Sequence, residues 1–281
     1  MPASGTIIRR IVAHLLLMHP FTSLAVAGVT MVLAIPRVGP LDISRILPVG
    51  LAMLLIQLTI GITNDLLDRP YDAAAKPSKP IASGQVNPGT ALIMASGLLI
   101  GAMGLGLRFG PFPMGIMLFG LACGLVYNLG LKRTFFSWLP HALAAPTLLL
   151  WVRAINGELP GALLWAYPLG LLLGPALNLA NQLSGAEAAV ASGERSFLYY
   201  VGVRQGRRLA AGLFLVTAGC LPMVISISLL PVRIAVVGAL TAAGLSVVFL
   251  VVAELDRRVA LWPLALAIAA VLGVAFHLSI P

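Results

Sequence analysis

The sequence predicts an all-α membrane protein, a bundle of about nine transmembrane helices, and three observations carry that expectation. Hydrophobic residues make up 59% of the 281 residues and charged ones only 10%, with a mean hydropathy of +1.01. An ordinary soluble domain carries about 25% charged residues, so a water-soluble fold is excluded. Apolar stretches of about 20 residues, the length a helix needs to cross hydrocarbon, recur from end to end. The short segments between them hold nearly all the charge and much of the Pro and Gly, as loops of polytopic proteins do.

The first span is expected to start near His14. Its stretch "RRIVAHLLLMHPFTSLAVAGVTMVLAI" has the basic start of a signal peptide, but its apolar part is too long and more spans follow, so it reads as an uncleaved span. The second starts near Ile46 and contains "LPVGLAMLLIQLTIGI". The third and fourth, from Pro88 and Phe112, are divided only by "RFGPFP". The remaining spans start near Ser137, Gly161, Arg208, Arg233 and Ala260. The longest connections, "DRPYDAAAKPSKPIASGQVNP" and "GAEAAVASGERSFLYYVGVRQGR", are too short and too apolar to be modules of their own. Residues 1–281 are therefore expected to form a single polytopic membrane domain.

A net charge of +9 raises the question of nucleic acid, but the placement of the charges answers it. With nine spans and the N-terminus inside, Arg37, Arg45, Arg108, Arg153 and Arg233 fall outside and every other Lys and Arg falls inside. The positive-inside rule produces this bias, which predicts a cytoplasmic N-terminus in the cell membrane and no nucleic-acid partner. Cys123 and Cys220 stand singly in apolar runs, without metal-ligand or disulfide spacing. His14, His19, His141 and His277 are scattered and read as core or interface residues. Asn178 and Asn181 share a helix face in the sixth span, where they would either line a cavity or bond between helices. No P-loop or GxSxG serine motif is present, and GxGxxG spacing lacks its strand-turn-helix setting.

The stretch "TNDLLDRPYDAAAKPSKPIASG", Thr63 to Gly84, concentrates Asp65, Asp68 and Asp72 in a chain with nine carboxylates in all. Spacings of three and four put these side chains on one helix face. Their repulsion is relieved by protonation, by cations or by a bound divalent ion. Magnesium suits the set, because it takes oxygen ligands and joins one or two carboxylates to a substrate phosphate, and no His or Cys stands close enough to supply softer ligands. Pro70 removes a helical donor and disfavours a helical Arg69, so Asp72 is expected on a turn just beyond the span, at its cytoplasmic mouth. The plainer alternative, acids ending a helix beside Arg69, Lys76 and Lys79, runs against the macrodipole, which disfavours acids at a helix C-terminus.

"NDLLDRPYD", Asn64 to Asp72, matches the NDxxDxxxD motif of the UbiA-type intramembrane prenyltransferases. "KPSKPIASG" resembles the basic, Pro-containing stretch that follows it there, and "YNLGLKR", Tyr127 to Arg133, is similar to that family's YxxxK element. The resemblance implies a helical bundle around a central cavity, in which Mg2+ on Asp65, Asp68 and Asp72 grips the diphosphate of an isoprenyl donor. Asn64 would assist, Lys132 with Tyr127 would orient the phosphate, and Arg133 and Lys79 would add contacts. For Lys132 and Arg133, membrane anchoring is an equally good reading. The reaction implied is transfer of the isoprenyl group to a small or lipophilic acceptor, with membrane lipid around the protein.

That family also carries a second Asp-rich motif after the sixth span. In its register lies "NQLSGAEAAVASGERSFLYYVG", where Asn181, Glu187, Gly193, Arg195, Ser196 and Gly202 match the pattern, but Gln182, Gly185 and Ala189 replace aspartates. The two motif regions are faintly alike in register, as two related halves would be. Loss of the acids makes a second magnesium doubtful, since amides hold it weakly. Arg195, Lys132 and Arg133 would then act as fixed cations, and Glu187 would be a ligand, a base or a solvated loop residue. The competing expectation is a transporter or non-catalytic binder of isoprenoid lipids on the same scaffold. A phospholipid head-group transferase would need a DGxxAR segment, which is absent.

Overall fold

A computed structural model describes residues 3–35, 42–159, 161–186, 194–224, 229–255 and 261–280. Among them there is helix and no strand. Six helices are long and apolar enough to cross a membrane, and the pair Ile11–Leu17 and Pro20–Leu33, bent by 53° at its break, makes a seventh. The nine expected starts all fall in or beside a long helix, although Val203–Cys220 carries three arginines and is less apolar than the six. The chain is an integral membrane protein. The described residues up to Met114 form one compact unit and those from Gly115 another.

In the first unit, α1 (Ala3–Leu17) and α2 (Pro20–Leu33) lead into α3 (Ile43–Ala75) and α4 (Pro88–Arg108), and α3 packs against both α2 and α4. Asp42 caps α3, its carboxylate accepting from the Ser44 amide at 3.0 Å and the Ser44 hydroxyl at 2.7 Å. The 33 residues of α3 measure about 50 Å at 1.5 Å each, well over the roughly 30 Å of a hydrocarbon core. Starting from Ile43, that core is crossed by about the twenty-second residue, near Asp65. Counted in this way, the acidic end of α3 would stand at the boundary.

The sequence placed Asp72 on a turn past Pro70, but α3 runs through Pro70 to Ala75. Pro70 lies on the exposed side of the helix, while Asp65 and Asp72, two turns apart, share the buried side. The following segment is pinned rather than loose. Ile81 and Val86 join Ala13, Leu17, Ile62, Ala91 and Ala95 in one apolar cluster drawn from α1, α3 and α4. Backbone bonds from Ser83 to Lys79 and from Val86 to Pro80 fold it, and Gly84 supplies a left-handed φ of 75°. Asn87 then caps α4 by accepting from the Gly89 amide at 2.8 Å, with Pro88 in the first turn.

The second unit begins within α5 (Pro111–Leu129) and turns at Gly130 through 3-10 segments Leu131–Arg133 and Phe135–Trp138 into α6 (Leu139–Ile155). A 3-10 segment, Gly161–Trp165, precedes α7 (Ala166–Leu183). After it come α8 (Phe197–Val201), α9 (Val203–Cys220), α10 (Leu229–Leu255) and α11 (Trp262–Ser279). Helix α7 is the hub, packing against α6, α9 and α11. Its Gly170 and Gly174 lie on α6 so closely that a methyl group at 174 would overlap the Ala142 backbone. Small residues one turn apart permit this approach, which van der Waals packing between membrane helices rewards.

Candidate functional site

The acidic end of α3 is built around one lysine. Lys79, on the pinned segment, places Nζ 2.7 Å from Asp65 Oδ1 and 2.8 Å from Asp72 Oδ2. Asp65 is only 2% exposed and Asp72 7%. Asp65 Oδ1 also receives His19 Nε2 at 3.0 Å and, at a long 3.4 Å, the amide of Asn64. Burial works against the charge of Lys79, but the attraction and hydrogen bonds of Asp65, and then of Asp72, outweigh it and hold the ammonium above the usual lysine range. Asp68 is half-buried on the same helix, and Asn64 stands beside Asp65.

Among the described residues, no three His, Cys, Asp or Glu side chains gather closely enough to hold a metal ion unaided. Two carboxylates nevertheless converge on a single cation position, the one Lys79 Nζ fills. Hard oxygen donors in that number fit magnesium, which usually takes one or two carboxylates and completes its shell with water and substrate phosphate. Tightly held, charged and at the end of an apolar helix, the cluster suits exchange of one cation for another.

The end of α7 in the second unit has the opposite character. Ser137, fully buried, donates from Oγ to Asn178 Oδ1 at 3.0 Å and accepts from Gln182 Nε2 at 3.0 Å and the Phe197 amide at 3.1 Å, which uses up its hydroxyl. Asn178 returns a bond to the Ser137 carbonyl at 2.9 Å. Gln182 Oε1 accepts from the Leu198 amide at 3.1 Å, satisfying the first turn of α8. Gln182 thus donates and accepts at once, which an ionised aspartate cannot do. Nearby, Asn181 Nδ2 donates to the Tyr127 hydroxyl at 3.3 Å, and the Tyr127 ring meets His141 edge-on at 5.0 Å. Arg133 Nε bonds Glu194 Oε1 at 3.2 Å.

Residues 22–268 match the UbiA prenyltransferase family. The chain belongs to that family. It is 30% identical over 141 residues to a probable homogentisate phytyltransferase 1, chloroplastic, of Oryza sativa subsp. japonica, a stretch covering 49% of this chain and 34% of the relative. It is 35% identical over 80 residues to a digeranylgeranylglyceryl phosphate synthase of Methanospirillum hungatei, covering 28% of this chain and 27% of that one. The matched stretches thus span a third or so of these relatives. In fold it is similar to a UbiA homolog from Archaeoglobus fulgidus bound to GPP and Mg2+, with TM-score 0.73, 16% identity and coverage of 94% of this chain and 98% of the other. A UbiA homolog from Aeropyrum pernix K1 in its apo form gives TM-score 0.66 at 16% identity, covering 92% and 96%. At such identities the likeness is one of fold.

Of the residues singled out in the sequence, the first unit brings together Asn64, Asp65, Asp72 and Lys79, with Asp68 one turn along. The second brings Tyr127 to Asn181 and Arg133 to Glu194, sets Lys132 in the same 3-10 turn as Arg133, and leaves Arg195 exposed. Glu187, Ala189 and Gly193 lie outside the described residues. The sequence reading missed two residues. His19, read as a core histidine with none near the acids, in fact touches Asp65. Its signal was the "MHPF" helix break ahead of Pro20. Glu194 carried no signal beyond being a rare acid.

Proposed function

We propose that the protein transfers an isoprenyl group from an isoprenyl diphosphate to an acceptor, with the diphosphate held at the acidic end of α3. One observation carries this: Asp65 and Asp72, both buried, converge on a single cation position where α3 reaches the end of its apolar crossing. Asp65, Asp68 and Asp72 are the proposed magnesium ligands, with Asn64 beside them. Bound magnesium would neutralise the charge that develops on the leaving pyrophosphate. In the reaction the allylic C–O bond breaks and its electron pair departs with pyrophosphate. The acceptor's nucleophilic atom forms the new bond to carbon and loses its proton.

The protein's own groups would do the remaining work. Lys79, displaced from the carboxylates, becomes a donor to phosphate oxygens. On family resemblance, Tyr127, Lys132, Arg133, Asn181, Glu187 and Arg195 are assigned to substrate binding, with Lys132 orienting phosphate. The apolar helices would receive the isoprenyl chain. The relatives named above suggest an aromatic acid such as homogentisate, or a glycerol phosphate, as acceptor. The basic bias of the loops supports a cytoplasmic N-terminus in the cell membrane.

The test is to incubate the purified protein with prenyl diphosphates of several chain lengths, Mg2+ and both acceptor types, and to measure pyrophosphate and prenylated product. Magnesium-dependent release of both is expected. A second reading, binding or transport of isoprenoids without turnover, is favoured by one feature: the polar groups at the end of α7 are neutral and bonded to one another. Donor binding without release under any of these conditions would select it.

A further inference from the structure

We propose that His19 is the positioning residue of the acidic site, fixing the Asp65 carboxylate so that it stays aimed at the cation position when Lys79 leaves it. This inference rests on the reading of Asp65 as a metal ligand given above. The imidazole contacts Asp65 Oδ1 at 3.0 Å. Because an ionised carboxylate only accepts, Nε2 is the donor nitrogen.

Three features aim the ring. His19 sits at the break between α1 and α2 with φ 47° and ψ 54°, the only left-handed backbone outside glycine among the described residues. Pro20, in the first turn of α2, fixes the direction in which the helix departs. Gly61 stands one helical turn before Asp65, and a methyl group there would lie 3.1 Å from His19 Cδ2. The ring therefore lies along the face of α3 that leads to the carboxylate. His19 and Lys79 hold the same oxygen, one from the helix break and one from the pinned segment, so release of the lysine leaves the histidine contact in place.

A histidine kept only for the turn and one kept for its contact predict opposite rankings of two variants. Asparagine tolerates left-handed backbone better than most residues but is too short to reach Asp65. Glutamine suits that backbone less well, yet its amide nitrogen overlays Nε2. Mn2+ binding to the full-length protein in detergent, followed by the electron paramagnetic resonance of free Mn2+, reads the difference without turnover.

We expect His19→Ala and His19→Asn to weaken Mn2+ binding about tenfold, as loss of a ligand's hydrogen-bond partner commonly does, and His19→Gln to stay within about threefold of wild type. Gly61→Ala, which crowds the ring without touching Asp65, should weaken it by a smaller factor. In the donor assay, the Ala and Asn variants should need correspondingly more magnesium for half-maximal pyrophosphate release, and Gln should rescue. His19→Asn binding Mn2+ as well as or better than His19→Gln, or Ala binding like wild type, overturns the proposal. Unchanged Mn2+ binding in Asp65→Asn overturns the reading of the site itself, a distinct failure.

Discussion

The ends of α3 and α7 meet the cost of polar groups near the membrane in different ways. At the end of α3 two buried carboxylates share one ammonium, which offsets one of their two charges, so the balance depends on a cation that can be replaced. At the end of α7 an amide, a hydroxyl and a second amide bond one another and the first turn of α8, with no charge in the circuit. The first arrangement is open to exchange; the second is closed. The difference gives Gln182 a structural role: its amide ties Ser137 to the Leu198 backbone, donating to one and accepting from the other.

The comparison can be broken most severely at α3. Asp65→Asn or Asp68→Asn should lower magnesium-dependent pyrophosphate release by at least about 100-fold, as removal of a group that stabilises developing charge does, measured by steady-state assay. Activity unchanged by both substitutions would remove the proposed donor site. Next, Gly174→Ala should force α7 off α6 and cost about 1–3 kcal/mol, read as a lower thermal midpoint, while Mn2+ binding at α3 persists. Gln182→Glu introduces an acid but removes the donor to Ser137, and should destabilise by about 1–3 kcal/mol without adding metal affinity. A more active variant with a second magnesium dependence would show that the closed arrangement is only a vacant metal site.

The smallest effect is alkaline. Because the folded environment raises the Lys79 ammonium above its ordinary value of 10.5, its contribution to stability is fully present below about pH 10.5 and is lost as pH rises through the raised value. Thermal midpoints should fall above pH 10.5 more steeply in wild type than in Lys79→Arg, whose charge persists. Parallel curves would show that the lysine adds nothing to stability there.

Local patterns were legible and distant contacts were not. Apolar length located the long helices, and the spacing of Asp65 and Asp72 put them on one face because both lie within a single helix. Pro70 misled, since its rule describes a typical helix and not one whose later turn is held through Asp72 by a lysine seven residues on. For His19 the sequence shows only the helix break at "MHPF"; its contact was out of reach because the partner lies 46 positions away, across the 53° bend. Gln182 registered only as a missing acid. Its role appears once Ser137 and Leu198, from separate segments, arrive beside it.

The wedging of Ile81 and Val86 into the apolar cluster has a practical consequence for handling the protein. These side chains anchor the strap that carries Lys79 by apolar packing, so chelation should leave the membrane helices assembled, unlike small domains whose folding depends on zinc. After treatment with EDTA a cooperative melting transition is expected to persist, lowered only by the loss of metal binding to the folded state.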